Sequence, residues 1–298
     1  MRSVRFGALL AVLGLATAAA VYAAGNGIRD VAAQAAGTPG LFLKLFTISA
    51  DPIPFSFHAF LGFLAPLLGI ALGFDAINGE RAQRTLPRLV SQPIHRDDVI
   101  NGKFVAGLLT ITLLLTTVTL LVAGLGILRL GIVPSAGEVA RLVVWLLGAV
   151  AYVGVWLALA VLCSVVVNRA ATSALVAIAI WLVLVVFGSL LAQVGADVFA
   201  PADGSTGAAA LHNARVEQNL ARISPVTLYD EATTALLNPE VRSVGVVTVQ
   251  QLDRAVVSNL SVTQSALLVW PQMVGLIAAM VVCFAAAYVA FMRQEVRA

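Results

Sequence analysis

The sequence predicts an all-α integral membrane protein with six transmembrane helices, both termini cytoplasmic, and a partly helical extracytoplasmic segment before the last span. The first observation is composition: 60% of the 298 residues are hydrophobic and 11% are charged, whereas soluble domains carry roughly 25% charged residues. The second is a set of six apolar runs near the length of about 20 residues that a helix needs to cross the hydrocarbon core. The third is the concentration of lysine and arginine on one side of those runs.

The six apolar runs are the predicted spans. They cover residues 6–24, 57–77, 104–128, 142–167, 172–194 and 267–292. A signal peptide is the alternative for the first run, because Arg2 and Arg5 precede it and small residues end it at Ala24. The run is longer than a usual signal-peptide core, which favours a retained span.

Orientation follows from the loop charges. With both termini inside, the inner segments 1–5, 78–103, 168–171 and 293–298 hold 10 lysines and arginines in 41 residues. The outer segments 25–56, 129–141 and 195–266 hold 8 in 117 residues. Basic density is higher on the side taken as cytoplasmic, as the positive-inside rule requires.

The outer segment 195–266 is the largest part outside the predicted spans. It contains in order a polar helix at 209–223, a helix that starts at Ser224-Pro225 and stops at Asn238-Pro239, and an amphipathic run at 249–260. In the earlier outer segment, residues 41–46 predict a short interfacial element that is too short to span.

The sequence carries no motif of an enzyme active site. The phosphate loop GxxxxGK[ST] is absent, and Gly102-Lys103-Phe104 lacks its glycine-rich lead and its Ser/Thr. No HExxH or GxSxG occurs. The two cysteines lie inside apolar runs, and the net charge of +3 is scattered, which excludes a dense nucleic-acid face. We therefore predict no catalytic, cofactor or metal site on this chain.

Two features of the second span are candidate sites. Asp75 lies near its inner end, where contact with water or Arg81 is favoured over contact with a substrate. Gly69 and Gly73 form GxxxG, a spacing that lets helix backbones approach closely. The two glycines are candidate packing positions at a dimer interface.

The inner segment 78–103 is dense in arginine. Arg81, Arg84 and Arg88 recur at helical spacing, and Pro87 predicts a bend that divides the stretch into two short pieces. After Pro93 a new helix is expected to run into the third span, with acidic residues in its first turn. On charge alone, an ordinary basic loop at lipid head groups explains the segment equally well.

The order of residues in this segment is more specific than its charge. The characteristic pieces are Glu80-Arg81, Thr85-Leu86, Ser91-Gln92-Pro93, Arg96 and Gly102-Lys103, with Ile223-Ser224-Pro225 and Arg293-Gln294-Glu295 further on. This pattern resembles the type-2 ABC exporter permeases, nearest to those grouped with the nitrous-oxide-reductase maturation transporter. Arg84 and His95 depart from the family's usual glycine and serine. Only five residues precede Phe6, so we expect either that the family's amphipathic helix before the first span is absent or that the start codon is misassigned.

The resemblance implies a single permease domain over 1–298 that works as a dimer with two copies of an ABC ATP-binding subunit. ATP and Mg would be held by that subunit, and the cytoplasmic coupling loop 78–103 would receive its motion. The coupling residues it implies are Glu80, Arg81, Arg84, Thr85, Leu86, Arg88, Ser91, Pro93, Arg96 and Lys103. It also implies a multi-pass protein of the plasma (inner) membrane of a prokaryote.

The transported substrate is not readable from the sequence. Few polar residues in the spans favour hydrophobic or amphiphilic cargo, and the segment 195–266 is long enough to bind an extracytoplasmic partner. Two other classes stay open, an ATP-independent secondary transporter and a membrane scaffold that transports nothing.

Overall fold

The computed structural model describes residues 7, 14, 18, 22, 40–48, 56–83, 95–201, 207–241, 243–245 and 260–294. Within these residues the chain forms helices and no strand, which confirms the predicted all-α class. The helices are α1 (Leu41–Thr47), α2 (Phe57–Gly73), α3 (Asn78–Ala82), α4 (Arg96–Leu130), α5 (Ala136–Val166), α6 (Ala170–Phe199), α7 (Gly207–Ala221), α8 (Pro225–Leu237) and α9 (Val262–Arg293).

Five described stretches are long and apolar enough to cross a membrane. They are Phe57–Ala82, Arg96–Leu128, Ala136–Val166, Ala170–Phe199 and Val262–Arg293. They contain or overlap the predicted spans from the second to the sixth, and most extend a turn or more beyond them. The first predicted span, 6–24, lies outside the described residues apart from four single positions, so the count of six stays a prediction.

Helix α5 is the centre of the bundle, and it contacts α1, α2, α4, α6, α8 and α9. Its aromatic side chains are almost fully buried, and two of them bond to neighbouring helices. The indole Nε1 of Trp145 donates to Oγ1 of Thr233 on α8 at 3.1 Å. The hydroxyl of Tyr152 donates to the carbonyl oxygen of Gly62 on α2 at 2.9 Å, and its ring stacks on Tyr229 of α8. These bonds orient α2 and α8 on one central helix.

Helix α1 is buried in the protein, which corrects the interfacial placement predicted for residues 41–46. The side chains of Phe42, Leu43, Leu45 and Phe46 are all at most 1% exposed. The Phe46 ring lies 6.0 Å from that of Trp145. Glu138 of α5 accepts from the main-chain N–H of Phe42 at 3.1 Å, and it also caps the start of α5. The apolar face of α1 therefore meets α5 where the sequence suggested lipid.

The outer segment confirms two of its three predicted elements. The polar helix is α7, and α8 begins at Pro225 and ends with Asn238 at its C-cap. The third, at 249–260, lies almost entirely outside the described residues. Beside α8, Arg141 is 4% exposed, and its guanidinium donates to Oγ of Ser265 at 2.7 Å. This bond fixes the first turns of α9 to α5.

Gly69 and Gly73 make the close helix approach that their spacing predicts, and they make it within the chain. A Cβ atom at Gly69 would lie 2.7 Å from the carbonyl oxygen of Val153 on α5. One at Gly73 would lie 2.8 Å from the Cβ of Ala160. Their place in a dimer seam stays a prediction, and in this chain α5 occupies both positions.

Replacing Gly69 with alanine is expected to lower the free energy of unfolding by about 1–3 kcal/mol, because the added methyl meets main-chain atoms of α5 that cannot turn aside. Gly124→Ala is the matched control, since nothing lies within 4 Å of its added Cβ and alanine favours the helix. Thermal unfolding in detergent measures both. Equal midpoints for the two variants would show that the Gly69 contact is not close.

Candidate functional site

The loop-side end of the bundle is where α3, the start of α4, the end of α5 and the end of α9 meet. The hydroxyl of Ser164, in the last turn of α5, is fully buried. It accepts from the main-chain N–H groups of Ile77 at 3.0 Å and Asn78 at 3.1 Å. The first N–H groups of a helix have no partner inside it. One serine therefore attaches the start of α3 to α5.

Arg81 and Gln294 converge on the carbonyl oxygen of Val165. Nη1 of Arg81 donates to this oxygen at 3.2 Å, and Nε2 of Gln294 donates to it at 2.9 Å. Nη2 of Arg81 also donates to Oε1 of Gln294. The last carbonyls of a helix lack partners inside it and carry the negative end of its dipole, which attracts a cation. The end of α5 thus holds α3 and the residue after α9 at one point.

Arg96 attaches the start of α4 to the same point. Its Nη2 donates to the main-chain oxygen of Gln294 at 2.9 Å, and its guanidinium lies 5.7 Å from the ring centre of Phe291. Phe291 is 1% exposed, so the cation lies over a fixed aromatic face. Gln294 therefore contacts both flanks of the coupling loop, α3 through Arg81 and α4 through Arg96.

A salt bridge joins the two flanks directly. Nζ of Lys103 on α4 lies 2.5 Å from Oε1 of Glu80 on α3. The two side chains are 29% and 23% exposed. An ion pair open to water contributes about 1 kcal/mol or less, so this pair sets the spacing of the flanks more than it stabilises them.

A cleft of about 530 Å³ opens between α2–α3 and α4 beside this salt bridge. Glu80, Lys103 and Asp75 contribute charge to its wall, and Ala76 and Gly107 are small residues that leave it room. The guanidinium of Arg81 bonds to α5 and to Gln294, so the structure places it away from the pairing with Asp75 that the sequence suggested. Asp75 is exposed to this cleft.

Four of the ten predicted coupling residues are described, and all four take part in this end of the bundle. They are Glu80, Arg81, Arg96 and Lys103. The other six lie outside the described residues: Arg84, Thr85, Leu86, Arg88, Ser91 and Pro93. The predicted helix start is confirmed, since Asp97 and Asp98 occupy the first turn of α4 and Asp98 accepts from the main-chain N–H of His95.

Sequence reasoning missed Ser164 and Val165 as partners of the loop. Ser164 sits inside an apolar run and looked like an ordinary small residue. Gln294 was noticed only as part of the exit sequence after the last span. The signal in the sequence was the position of Gln294. It is a polar residue that directly follows Arg293 at the end of the last span, on the same side of the predicted spans as the loop flanks.

A match to a known family identifies the kind of protein that carries this arrangement. The sequence model described as "ABC-2 family transporter protein" matches residues 1–296. The chain belongs to the ABC-2 transporter family. It is therefore a multi-pass membrane protein and a transmembrane subunit of an ABC transporter, a family whose members associate with an ABC ATP-binding subunit. Among curated proteins, no significant match to the chain was found.

Ser164→Ala is expected to lower the free energy of unfolding by about 1–3 kcal/mol, because it leaves two main-chain N–H groups of α3 without an acceptor. Ser173→Ala is the matched control. Its hydroxyl is equally buried and has no hydrogen-bond partner among the described residues, so its removal is expected to be nearly neutral. Thermal unfolding of the full chain in detergent compares the two, and an equal effect of both would contradict the role of Ser164.

Proposed function

We propose that the chain is the permease subunit of an ATP-driven exporter and receives the motion of its ATPase through the loop 78–103. One observation carries the proposal. Both flanks of the loop are bonded to the ends of α5 and α9 around Gln294. A displacement of the loop would act on four helices at their common end, which is the arrangement that a coupling element needs.

The nucleotide chemistry belongs to a partner in this proposal. The sequence lacks the phosphate-binding loop, so two copies of an ABC ATP-binding subunit would hold ATP and Mg, and the permease would pair with a second copy of itself. All ten predicted coupling residues remain candidates for docking. Arg81 and Arg96 have a second task within the chain, because their bonds to Val165 and Gln294 hold the flanks in position.

The proposed orientation is six spans with both termini cytoplasmic, in the plasma membrane of a prokaryote. The basic density of the inner segments supports it. Along the chain, α7 and α8 lie between the spanning helices α6 and α9. In the proposed orientation they would lie outside the membrane at the exit of the translocation path, accessible to an extracytoplasmic partner. The likeness to permeases of the nitrous-oxide-reductase maturation group, and an apolar or amphiphilic cargo, remain part of the proposal.

Glu80→Ala and Arg96→Ala are expected to uncouple ATP hydrolysis from transport in the complex with its ATP-binding subunit. Each removes a charge that spaces or fixes a loop flank, so a displacement of the loop would no longer be passed on to α5 and α9. Arg215→Ala is the matched control, because Arg215 is exposed on α7 at the other end of the molecule. Hydrolysis and transport are measured together in proteoliposomes, with membrane insertion checked by fractionation.

Normal coupled turnover in both loop variants would contradict the coupling role. Transport that follows an ion gradient and ignores ATP depletion would identify a secondary transporter. Purification of a stable chain with no ATPase and no transport would identify a scaffold.

The orientation predicts opposite labelling of two exposed positions, one in the loop 78–103 and one on α7. In a background without Cys163 and Cys283, Gln83→Cys is expected to react with an impermeant maleimide only after the membrane is opened. His212→Cys is expected to react in intact cells, because α7 would lie outside. Reaction of Gln83→Cys in intact cells would show that the chain has the opposite orientation.

A further inference from the structure

We propose that α9 carries the motion of the coupling loop to the outer helix α8, with Gln294 and Gln272 as the positioning residues at its two ends. The inference rests on the proposed function and adds a route that the loop sequence does not contain. Along the chain, the loop is joined covalently to the second and third spans, and the sequence predicts no connection to another span. The structure adds the last span through side-chain contacts.

The inner connection is Gln294. Its side chain bonds to Arg81 and to the carbonyl of Val165, and its main-chain oxygen accepts from Arg96. The residue directly follows α9, whose last residue is Arg293. A shift of either loop flank therefore acts on the end of α9.

The outer connection is Gln272. Its side chain is 3% exposed, and Nε2 donates to Oε2 of Glu231 on α8 at 2.9 Å. The same carboxylate accepts from Nε of Arg222 at 2.9 Å and from Nε2 of Gln218 at 3.1 Å. Glu231 thus joins α9, α8 and the end of α7. From Gln272 to Gln294 the helix rises roughly 33 Å, about the thickness of the hydrocarbon core.

The position of Pro271 separates a fixed part of α9 from a movable part. Before it, Ser265 accepts from the buried guanidinium of Arg141, which ties the first turns to α5. Pro271 cannot donate to the carbonyl four residues earlier, so the helix is weakest against bending there. Gln272 is the next residue, and it begins the part that leads to the loop.

The contact between α9 and α5 beyond Pro271 suits relative movement. Met273 and Met280 of α9 lie against Gly148 and Gly154 of α5, where an added Cβ would come within 2.8 Å and 2.6 Å of them. Methionine has three rotatable side-chain bonds and adapts its shape. A glycine offers no side chain to interlock with it. This surface can therefore shift while the bonds of Gln272 and Gln294 transmit the displacement.

The test uses the full chain with its co-purifying ATP-binding subunit, in nanodiscs, with native cysteines replaced. Spin labels at Thr234→Cys on α8 and Ala136→Cys at the start of α5 occupy exposed positions. Their distance is measured without nucleotide and after trapping with ATP, Mg and vanadate. We expect a nucleotide-dependent shift in the parent protein and its loss in Gln272→Leu. Glu231 keeps Arg222 in that variant and is not left unpaired.

The inner end is tested with two variants of Gln294. Gln294→Ala retains only the main-chain bond from Arg96 and is expected to reduce the shift. Gln294→Glu can still pair with Arg81 and is expected to retain it. Gln264→Ala is the matched control on the same helix, since Gln264 is exposed and its hydrogen bonds cap the start of α9, and the shift is expected to persist.

A full shift in Gln272→Leu would overturn the inference while leaving the proposed function intact. Loss of the shift in Gln264→Ala would also overturn it, because general destabilisation would then explain the effect. Failure of the parent to bind an ATPase, or to respond to nucleotide, would overturn the proposed function and the inference with it.

Discussion

Hydrocarbon offers no water to bond the free main-chain groups of a helix end, so each end must find a partner in the protein or reach the interface. At both ends of the central helix, the structure does this with groups that are shared between neighbouring helices. At the end away from the loop, Glu138 satisfies the starts of α1 and α5 together. At the loop-side end, the carbonyl of Val165 is satisfied by Arg81 and Gln294, and the hydroxyl of Ser164 satisfies α3. The packing of the bundle and the position of the loop flanks both depend on these shared ends.

Much of the fold was predictable because a helix that crosses the lipid hydrocarbon must be apolar over about 20 residues. Length and hydropathy located the spans from the second to the sixth, and proline with its capping residues located both ends of α8. The acidic first turn located the start of α4. The placement of α1 was wrong, since a run of six apolar residues looks the same whether lipid or protein covers it. What decides it is Trp145, about 100 residues further along the chain.

The charged residues of the site were predictable from the sequence, but their partners were not. The family resemblance implied Glu80, Arg81, Arg96 and Lys103 as coupling residues, and the structure brings these four together. The partners of Arg81 and Arg96 are a main-chain carbonyl and a glutamine, and a serine holds the start of α3; none of the three has a distinctive sequence pattern. The same limit applies to Gly69 and Gly73. Their spacing predicted close approach correctly, but the partner of that approach is Val153 to Ala160 of the same chain, which no local pattern reveals.

The contact between Arg81 and Gln294 has a consequence for biogenesis. The two residues are 213 positions apart in the chain. Ribosomes add roughly 5–20 residues each second, so about ten seconds or more separate their synthesis. Throughout that interval the second span is already made, while the partner of its inner end does not yet exist. The contacts of Gln294 with Arg81 and Arg96 therefore form only after α9 has been synthesised, and until then the carbonyl of Val165 lacks the donor that Gln294 supplies.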